Sequence, residues 1–554
     1  MMKFNKNLLV CTTLIAVAHF TLYFFLIYLS EIPFQEASFF LSLGYPSDPL
    51  YIPFINKIEN LLFYESTVFP TLGVLFELLI SKLIGFKFIW VMVPVLKTLA
   101  VTSLLIIFTK NKDLPIIEFL LITAFLFIIF NTNMYLFGDR FARPHIIPTI
   151  AILAFYIINF GLESKKSFPL FFGGILLSFI FVHDIWLFSC VMLGGLFHIL
   201  ISVNNLNDLF KQFFLISSGL MILILIANLK YFFAIPAHNM YIEFVGLKII
   251  FSSSSFIQDF YVTLFTDIGF IVRFLLALLI GILCKDKKFL WVLVAGSMLA
   301  YLPFIITGHI IQAYHLIIAV KTFTLMCTLL CLHQYFLELP KGSVFKISSL
   351  FVIVLIINYQ SYSSPMIDRA SFIYKGYNNL FSSINDLKMK NSSCIVISND
   401  IYARAYVLGF TDLEVLPKDG IYEGRSIDEV KREISLGLKI ARESIEDNNS
   451  EILNDNFISK ALHYATHNYF SVSKSFLPKS FENQDFNLDN NHLNKNSFLG
   501  WQMFIPSSLI SSIKDLSQEA NTHENQKNNS LLIIKNGYRY NDPSDLKVFD
   551  NCTH

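Results

Sequence analysis

The chain has 554 residues, of which 54% are hydrophobic and only 15% charged, well below the ~25% charged fraction of soluble globular domains. That composition excludes an ordinary soluble fold, and a net charge of +1 with no basic face excludes a nucleic-acid partner. What remains is a multipass membrane protein.

The first apolar run, Leu8 to Leu29, reaches spanning length and lacks a small-residue cleavage site, so it reads as a signal anchor. Lys3 and Lys6 precede it and put the N-terminus in the cytoplasm. Further apolar runs recur at 66–84, 88–108, 116–131, 146–162, 168–186, 187–203, 211–229, 260–282, 289–307, 311–335 and 345–360. The run 66–84 carries Glu77 and Lys82 and decides the topology. If it spans, Lys110, Lys112, Lys165, Lys166, Lys285, Lys287 and Lys288 fall outside, against the positive-inside bias. If it is re-entrant or lies along the interface, all of them fall inside. The second arrangement has about eleven spans and leaves Lys57, Lys82, Lys87, Lys230 and Lys248 as outside exceptions.

The expected fold is therefore mainly α: a polytopic membrane helical bundle over residues 1–360, with an extracytoplasmic first loop over 31–65. From about Ser361 the composition turns to Asn, Ser, Lys and Asp, which marks a soluble extracytoplasmic domain over 361–554. Cys394 to Ser398 and Leu531 to Ile534 read as buried strands, and Ser426 to Ser444 as a helix capped by Ser426 with Glu429 three residues on. An α/β or α+β fold follows, with the asparagine-rich stretches Gln484–Lys495 and Ser517–Ser530 as loops. Cys11, Cys190, Cys284, Cys327 and Cys331 fall in or beside apolar runs and read as core residues. Cys394 and Cys552 lie in the polar tail and can form a disulfide if that tail is outside.

This topology sorts the polar motifs onto one face. In the first outer loop, Gly44-Tyr45-Pro46-Ser47-Asp48-Pro49-Leu50-Tyr51 holds Asp48 between prolines. A carboxylate fixed there can serve as general base on an acceptor hydroxyl, or Asp48 is simply a turn residue; Glu36, Glu59 and Glu65 are weaker candidates. The octapeptide Gly138 to His145 (GDRFARPH) packs two arginines, an aspartate and a histidine between two apolar runs. Arg140 and Arg143, with His145, suit a phosphate or diphosphate whose lipid tail stays in the bilayer; alternatively Asp139 neutralises an arginine in a local salt cluster. His183 and Asp184 end another run, and His309, Gln312 and His315 recur every three residues. His183 and His315 can hydrogen-bond phosphate or hydroxyl groups. HExxH, Walker, GxSxG and paired CxxC motifs are absent from the sequence, which removes the usual soluble chemistries.

The order of these parts resembles the GT-C class of integral membrane glycosyltransferases. The resemblance is architectural: an inside N-terminus, one span, an acidic outer loop, many further spans and an outer C-terminal domain. In motif terms it rests on Asp48, on Asp139-Arg140-Phe141-Ala142-Arg143-Pro144 before a span, and on His183 near the end of the next. It implies transfer of a sugar from a polyprenyl-phosphate donor, with Asp48 as base and the arginines near the lipid phosphate. It also implies a multi-pass protein of the bacterial inner membrane, with a lipid-linked sugar donor and membrane lipid as partners. The outer loops lack a clear DxD, which leaves divalent-metal use open. Two other readings stand beside it: a transporter or flippase of a lipid-linked or anionic substrate, using mid-span Lys97, Arg273 and Lys321, and a non-catalytic membrane scaffold.

Overall fold

The computed structural model describes residues 6–29, 31–33, 82–83, 85, 90–109, 115–132, 147–202, 205–233, 253–285, 287–303, 313–338, 365–390, 394–417, 427–445, 453, 455–466, 471–473, 487–488, 491–498, 501–519, 529–535 and 546–552. These are mostly helical, as the composition requires. The membrane part holds α1 (Lys6–Leu29), α2 (Met92–Thr109), α3 (Ile116–Thr132), α4 (Ile147–Ser164), α5 (Ser167–His183), α6 (Ile185–Ser202), α7 (Leu206–Phe233), α8 (Ser253–Thr266), α9 (Ile268–Leu283), α10 (Lys288–Met298) and α11 (Ala313–Glu338).

Among the described residues, three helices are long and apolar enough to cross a membrane: Lys6–Leu29, Met92–Thr109 and Leu316–Phe336; α8 with α9 makes a fourth if that bent pair is one span. The expectation of about eleven spans is corrected accordingly, and the physical reason is helix breaking inside apolar sequence. The run 260–282 is cut at Asp267, where the two helices meet at 87°. There the Asp267 carboxylate accepts from Phe270 N at 3.1 Å and starts a new helix, satisfying a backbone donor that a continuous helix would bond internally. Within the run 289–307, α10 stops at Leu299 after 11 residues, ~16 Å of helix against a ~30 Å hydrocarbon core. The runs 66–84, beyond residues 82–83, and 345–360 lie outside the described residues.

The bundle has two distinguishable ends. At one, Lys288 Nζ meets Glu163 Oε1 at 2.8 Å and Lys285 N donates to Glu338 Oε2 at 2.8 Å, which brings together the ends of α4, α9 and α11 and the start of α10. Lys165 and Lys166 follow Glu163 there, Lys165 with a left-handed φ of 53° that lets α4 turn back into α5. Phe108 of α2 stacks edge-on to His333 of α11 at 5.1 Å, so α2 also ends there. This is the lysine end.

At the far end lie Leu29, Trp90, Asp184 and Ala300. Helices α1 and α2 are antiparallel: His19 meets Thr98, Tyr23 meets Lys97 and Phe24 meets Trp90. The segment between them therefore leaves and re-enters the bundle at the same end. Helices α6 and α10 also run antiparallel, with Ser189 Oγ donating to Ala300 O at 2.7 Å at the far end and His198 stacked on Phe289 toward the lysine end.

Close helix contact depends on glycine at the crossing of α5 with α7. A Cβ on Gly174 of α5 would overlap the carbonyl oxygen of Ile216 and stand 3.0 Å from Leu220 N; one on Gly219 of α7 would overlap the carbonyl oxygen of Phe171. Cys11, Cys190, Cys284, Cys327 and Cys331 are buried thiols in the bundle, outside any disulfide, and Cys284 Sγ donates to Cys331 O at 3.3 Å.

The C-terminal part begins with α12 (Pro365–Lys390) and continues through β1 (Ile395–Ser398), α13 (Ile401–Phe410), β2 (Glu414–Leu416), α14 (Ile427–Ser444), α15 (Asp455–Thr466), β3 (Ser471–Ser473), β4 (Asn487–Leu488), β5 (Asn491–Phe498), β6 (Trp501–Pro506), α16 (Ser507–Glu519), β7 (Ser530–Lys535) and β8 (Leu546–Asp550). One sheet has the order β2-β1-β7-β8, with β1 parallel to both β2 and β7 and β8 antiparallel at the edge. The two apolar runs read as strands are thus adjacent and fully paired. The asparagine-rich 484–495 stretch, read as a loop, supplies β4 and most of β5. Its backbone is drawn into a hairpin with apolar β6, in the order β3-β6-β5-β4, and this pairing overrides asparagine's poor strand propensity. Ser426, the expected cap of α14, lies outside the described residues.

Arg404 of α13 is 2% exposed. It donates from Nη1 to Ser398 O at 3.0 Å and from Nη2 to Pro417 O, so a guanidinium at the sheet's carboxyl edge ties β1 to β2. Asp400 caps α13 through Ala403 N at 2.8 Å and accepts from Tyr377 of α12 at 2.8 Å. Cys394 and Cys552 form a disulfide with Cα atoms 5.8 Å apart.

The C-terminal part packs on the far end of the bundle. Tyr23, Ile27, Ile32, Trp90 and Met92 share one buried core with Ile373 and Tyr377 of α12, and Lys375 pairs with Glu31 at 2.8 Å. That hydrogen bond and charge hold the exposed Glu31 carboxyl below its ordinary pKa.

Candidate functional site

Asp48, Arg140, Arg143 and His145 lie outside the described residues. His183 closes α5 and His315 stands in the first turn of α11. The helix ends that bracket the other four residues are described. The segment with Asp48 joins α1 to α2 at the far end. The segment with Arg140, Arg143 and His145 joins α3, which rises beside α1 with Phe127 4.6 Å from His19, to the start of α4. Helix α4 reaches the lysine end at Glu163, so its start lies toward the far end. The described helix ends that flank those four residues lie at that end, as do the backbone positions of His183 and His315.

Two polar clusters lie within the bundle toward the same end. The first is between α1, α2 and α3. Lys97, 3% exposed, holds its ammonium 5.2 Å from the centroid of the Tyr23 ring. Beside it, fully buried His19 places Nδ1 3.1 Å from Thr98 Oγ1. The Thr98 hydroxyl donates to Pro94 O at 2.7 Å, so its oxygen accepts from His19. That assignment makes His19 Nδ1 the donor of the pair.

The second cluster is at the helix break. Asp267, already capping α9, is ion-paired with Lys321 of α11, and the two side chains are 29% and 26% exposed. Arg273, six residues along α9, lies in the field of Asp267. Nearby, Tyr261 of α8 donates to Met298 O at 2.9 Å, with the Tyr301 ring 5.9 Å away. Reading the sequence found Lys321, Arg273 and Lys97 but missed Asp267 and His19. An aspartate followed by Ile-Gly inside an apolar run was the available signal for the first. The pairing of His19 with a threonine 79 residues away had none.

Asp184 caps α6 through Leu187 N at 3.0 Å, so part of the His183-Asp184 motif serves to restart a helix. No group of three or more His, Cys, Asp or Glu side chains suited to a metal ion occurs among the described residues. No family model matches the chain, and no curated protein matches it significantly.

Proposed function

We propose that the chain is an integral membrane glycosyltransferase that transfers a sugar from a polyprenyl-phosphate-linked donor to an acceptor on the extracytoplasmic face. What carries this reading is the convergence at the far end. The described helix ends that flank the segments with Asp48 and with Arg140 to His145 lie at the same end of the bundle as the backbone of His183 and His315, the end on which α12 packs. The orientation follows from charge: Lys165, Lys166, Lys285, Lys287 and Lys288 collect at the opposite end, and such loops face the cytoplasm. The Cys394–Cys552 bond suits an oxidising compartment for the domain at the far end.

In this mechanism Asp48 takes the proton of an acceptor hydroxyl as its oxygen forms a bond to the anomeric carbon. The bond from that carbon to the lipid phosphate breaks, and Arg140, Arg143 and His145 neutralise the departing charge, assisted by hydrogen bonds from His183 and His315. The reading is tested with purified protein and a polyprenyl-phosphate-linked sugar. Arg143→Ala should weaken donor binding roughly 10- to 100-fold, the loss of one charge-assisted hydrogen bond of about 1.5–3 kcal/mol, with an unchanged unfolding midpoint. An equal loss of folding would instead make Arg143 the partner of Asp139 in a salt cluster.

One observation favours transport as a second reading. Broken helices with charged residues at the break are how transporters build sites at membrane depth, and Asp267 with Lys321 occupies such a break. Asp267→Asn separates the two. Transport predicts that movement of a lipid-linked substrate across proteoliposomes is lost, whereas the transferase predicts sugar transfer at the wild-type rate.

A further inference from the structure

The lysines of the lysine end divide into two sets. Lys288 pairs with Glu163 and joins α10 to α4, and Lys287 Nζ donates to Ile282 O near the carboxyl end of α9; these two hold the bundle together. Lys165, Lys166 and Lys285 are exposed, and none of them forms an ion pair among the described residues. The Glu163–Lys288 contact sets the turn after α4 beside the turn after α9, and each of these three lysines lies within three residues of it. Lys165 takes a left-handed φ of 53°, a conformation that glycine or asparagine adopts more readily than lysine, so the turn itself does not call for a lysine there. Apolar surface begins beside the charges. The Lys166 ammonium stands 5.9 Å from the centroid of the Phe160 ring, and Phe168 is 73% exposed. Ile282 and Leu283 are exposed just before Lys285, and Trp291 is half-exposed one turn after Lys288. A soluble polyanion or an acidic protein segment would be matched by polar surface around the charge. Charge bordered by bare aliphatic and aromatic surface matches a phospholipid, and tryptophan is a usual residue of that boundary.

We propose that Lys165, Lys166 and Lys285 bind the headgroup phosphate of an anionic phospholipid of the cytoplasmic leaflet, whose acyl chains lie on the apolar surface beside them. Lysines on this side of a membrane attract anionic headgroups, each adding roughly fivefold to the affinity. A headgroup shared between the two turns would reinforce the Glu163–Lys288 contact in fixing α4 against α9 and α10. The proposal rests on the membrane reading and its orientation, and on neither the transferase nor the transport reading of the far end.

The test titrates full-length protein in detergent, where membrane orientation plays no part, with phosphatidylglycerol and phosphatidylcholine of the same acyl chains, and counts bound lipid by native mass spectrometry. Wild type should prefer phosphatidylglycerol by about tenfold or more. The combined variant Lys165→Gln, Lys166→Gln and Lys285→Gln should bring the two lipids close to equal, and the corresponding triple arginine variant should keep the preference. Equal binding by the wild type, or an undiminished preference in the glutamine variant, overturns the proposal and leaves both readings of the far end standing. Displacement of the lipid by inorganic pyrophosphate would assign the lysines to soluble phosphate, and displacement by polyglutamate to an acidic protein partner; either result overturns the lipid assignment. If the glutamine variant does not fold, salt decides in the wild type. The preference should shrink toward equality between about 0.05 M and about 0.5 M salt, because exposed charges are screened, and a salt-independent preference overturns the proposal.

Discussion

Asp48→Asn is expected to lower sugar transfer by ~10²–10⁴-fold, the usual contribution of a positioned general base, while donor binding and membrane insertion stay as in the wild type. The change keeps the shape of the side chain and removes only its ability to take a proton. Prolines at positions 46 and 49 restrict the backbone on both sides of residue 48 in either variant, so the comparison isolates the chemistry. A turn aspartate replaced by asparagine would leave the rate intact, because asparagine makes the same turn. Retained transfer would move the base to another residue of the first loop, with Glu36, Glu59 and Glu65 next in line.

The second large effect is structural. Gly219→Ala should lower the unfolding midpoint in detergent or prevent folding, with a cost at or above the ~3 kcal/mol upper range for overpacking. The added methyl would overlap a backbone carbonyl oxygen of α5 and stand 3.0 Å from Ile175 N. Neither partner is a flexible side chain that can turn away, so the helices must separate. Gly195→Ala is the control. Its added carbon would meet only Phe155, at 3.9 Å, and alanine's better helix propensity should leave stability equal or raised by up to ~1 kcal/mol.

The sequence was most legible where one strong physical rule acts alone. Apolar length located most of the described helices of the bundle, the runs 260–282 and 289–307 being the exceptions. Lysine placement anticipated that Lys165, Lys166 and Lys285 to Lys288 share an end. In the soluble part, the apolar runs at 394–398 and 531–534 gave central strands because a strand buried on both faces needs continuous apolar sequence.

What was not legible depended on partners distant in sequence or on one polar residue outcompeting its surroundings. The break at Asp267 needs a side chain that caps one helix while pairing with Lys321, 54 residues away. Strand β5 is asparagine-rich and takes its form from β6. Helix α12 spans 26 residues and buries a stripe at helical spacing, Ile373, Tyr377, Phe381 and Ile384, by packing on both the sheet domain and the bundle; that stripe was in the sequence but went unread. Of the candidate site, the polar residues near the ends of apolar runs were visible. Lys97 and His19 were harder to weigh, since a buried cation beside a ring looks like any interruption of a run until the helices are set side by side.

The bond between Cys394 and Cys552 has a consequence for how the soluble domain comes apart. It joins the residue just before the first strand to one just after the last, across a separation of 158 residues, so the intervening chain is a closed covalent ring. In the loop-entropy view such a closure removes about 5 kcal/mol of freedom from the unfolded chain. Edge strand β8 buries little of its own surface and would otherwise be the natural place for fraying to start. Closed in this way, the β8 edge has no loose end to peel from, and the domain is expected to persist whole until it fails as a unit.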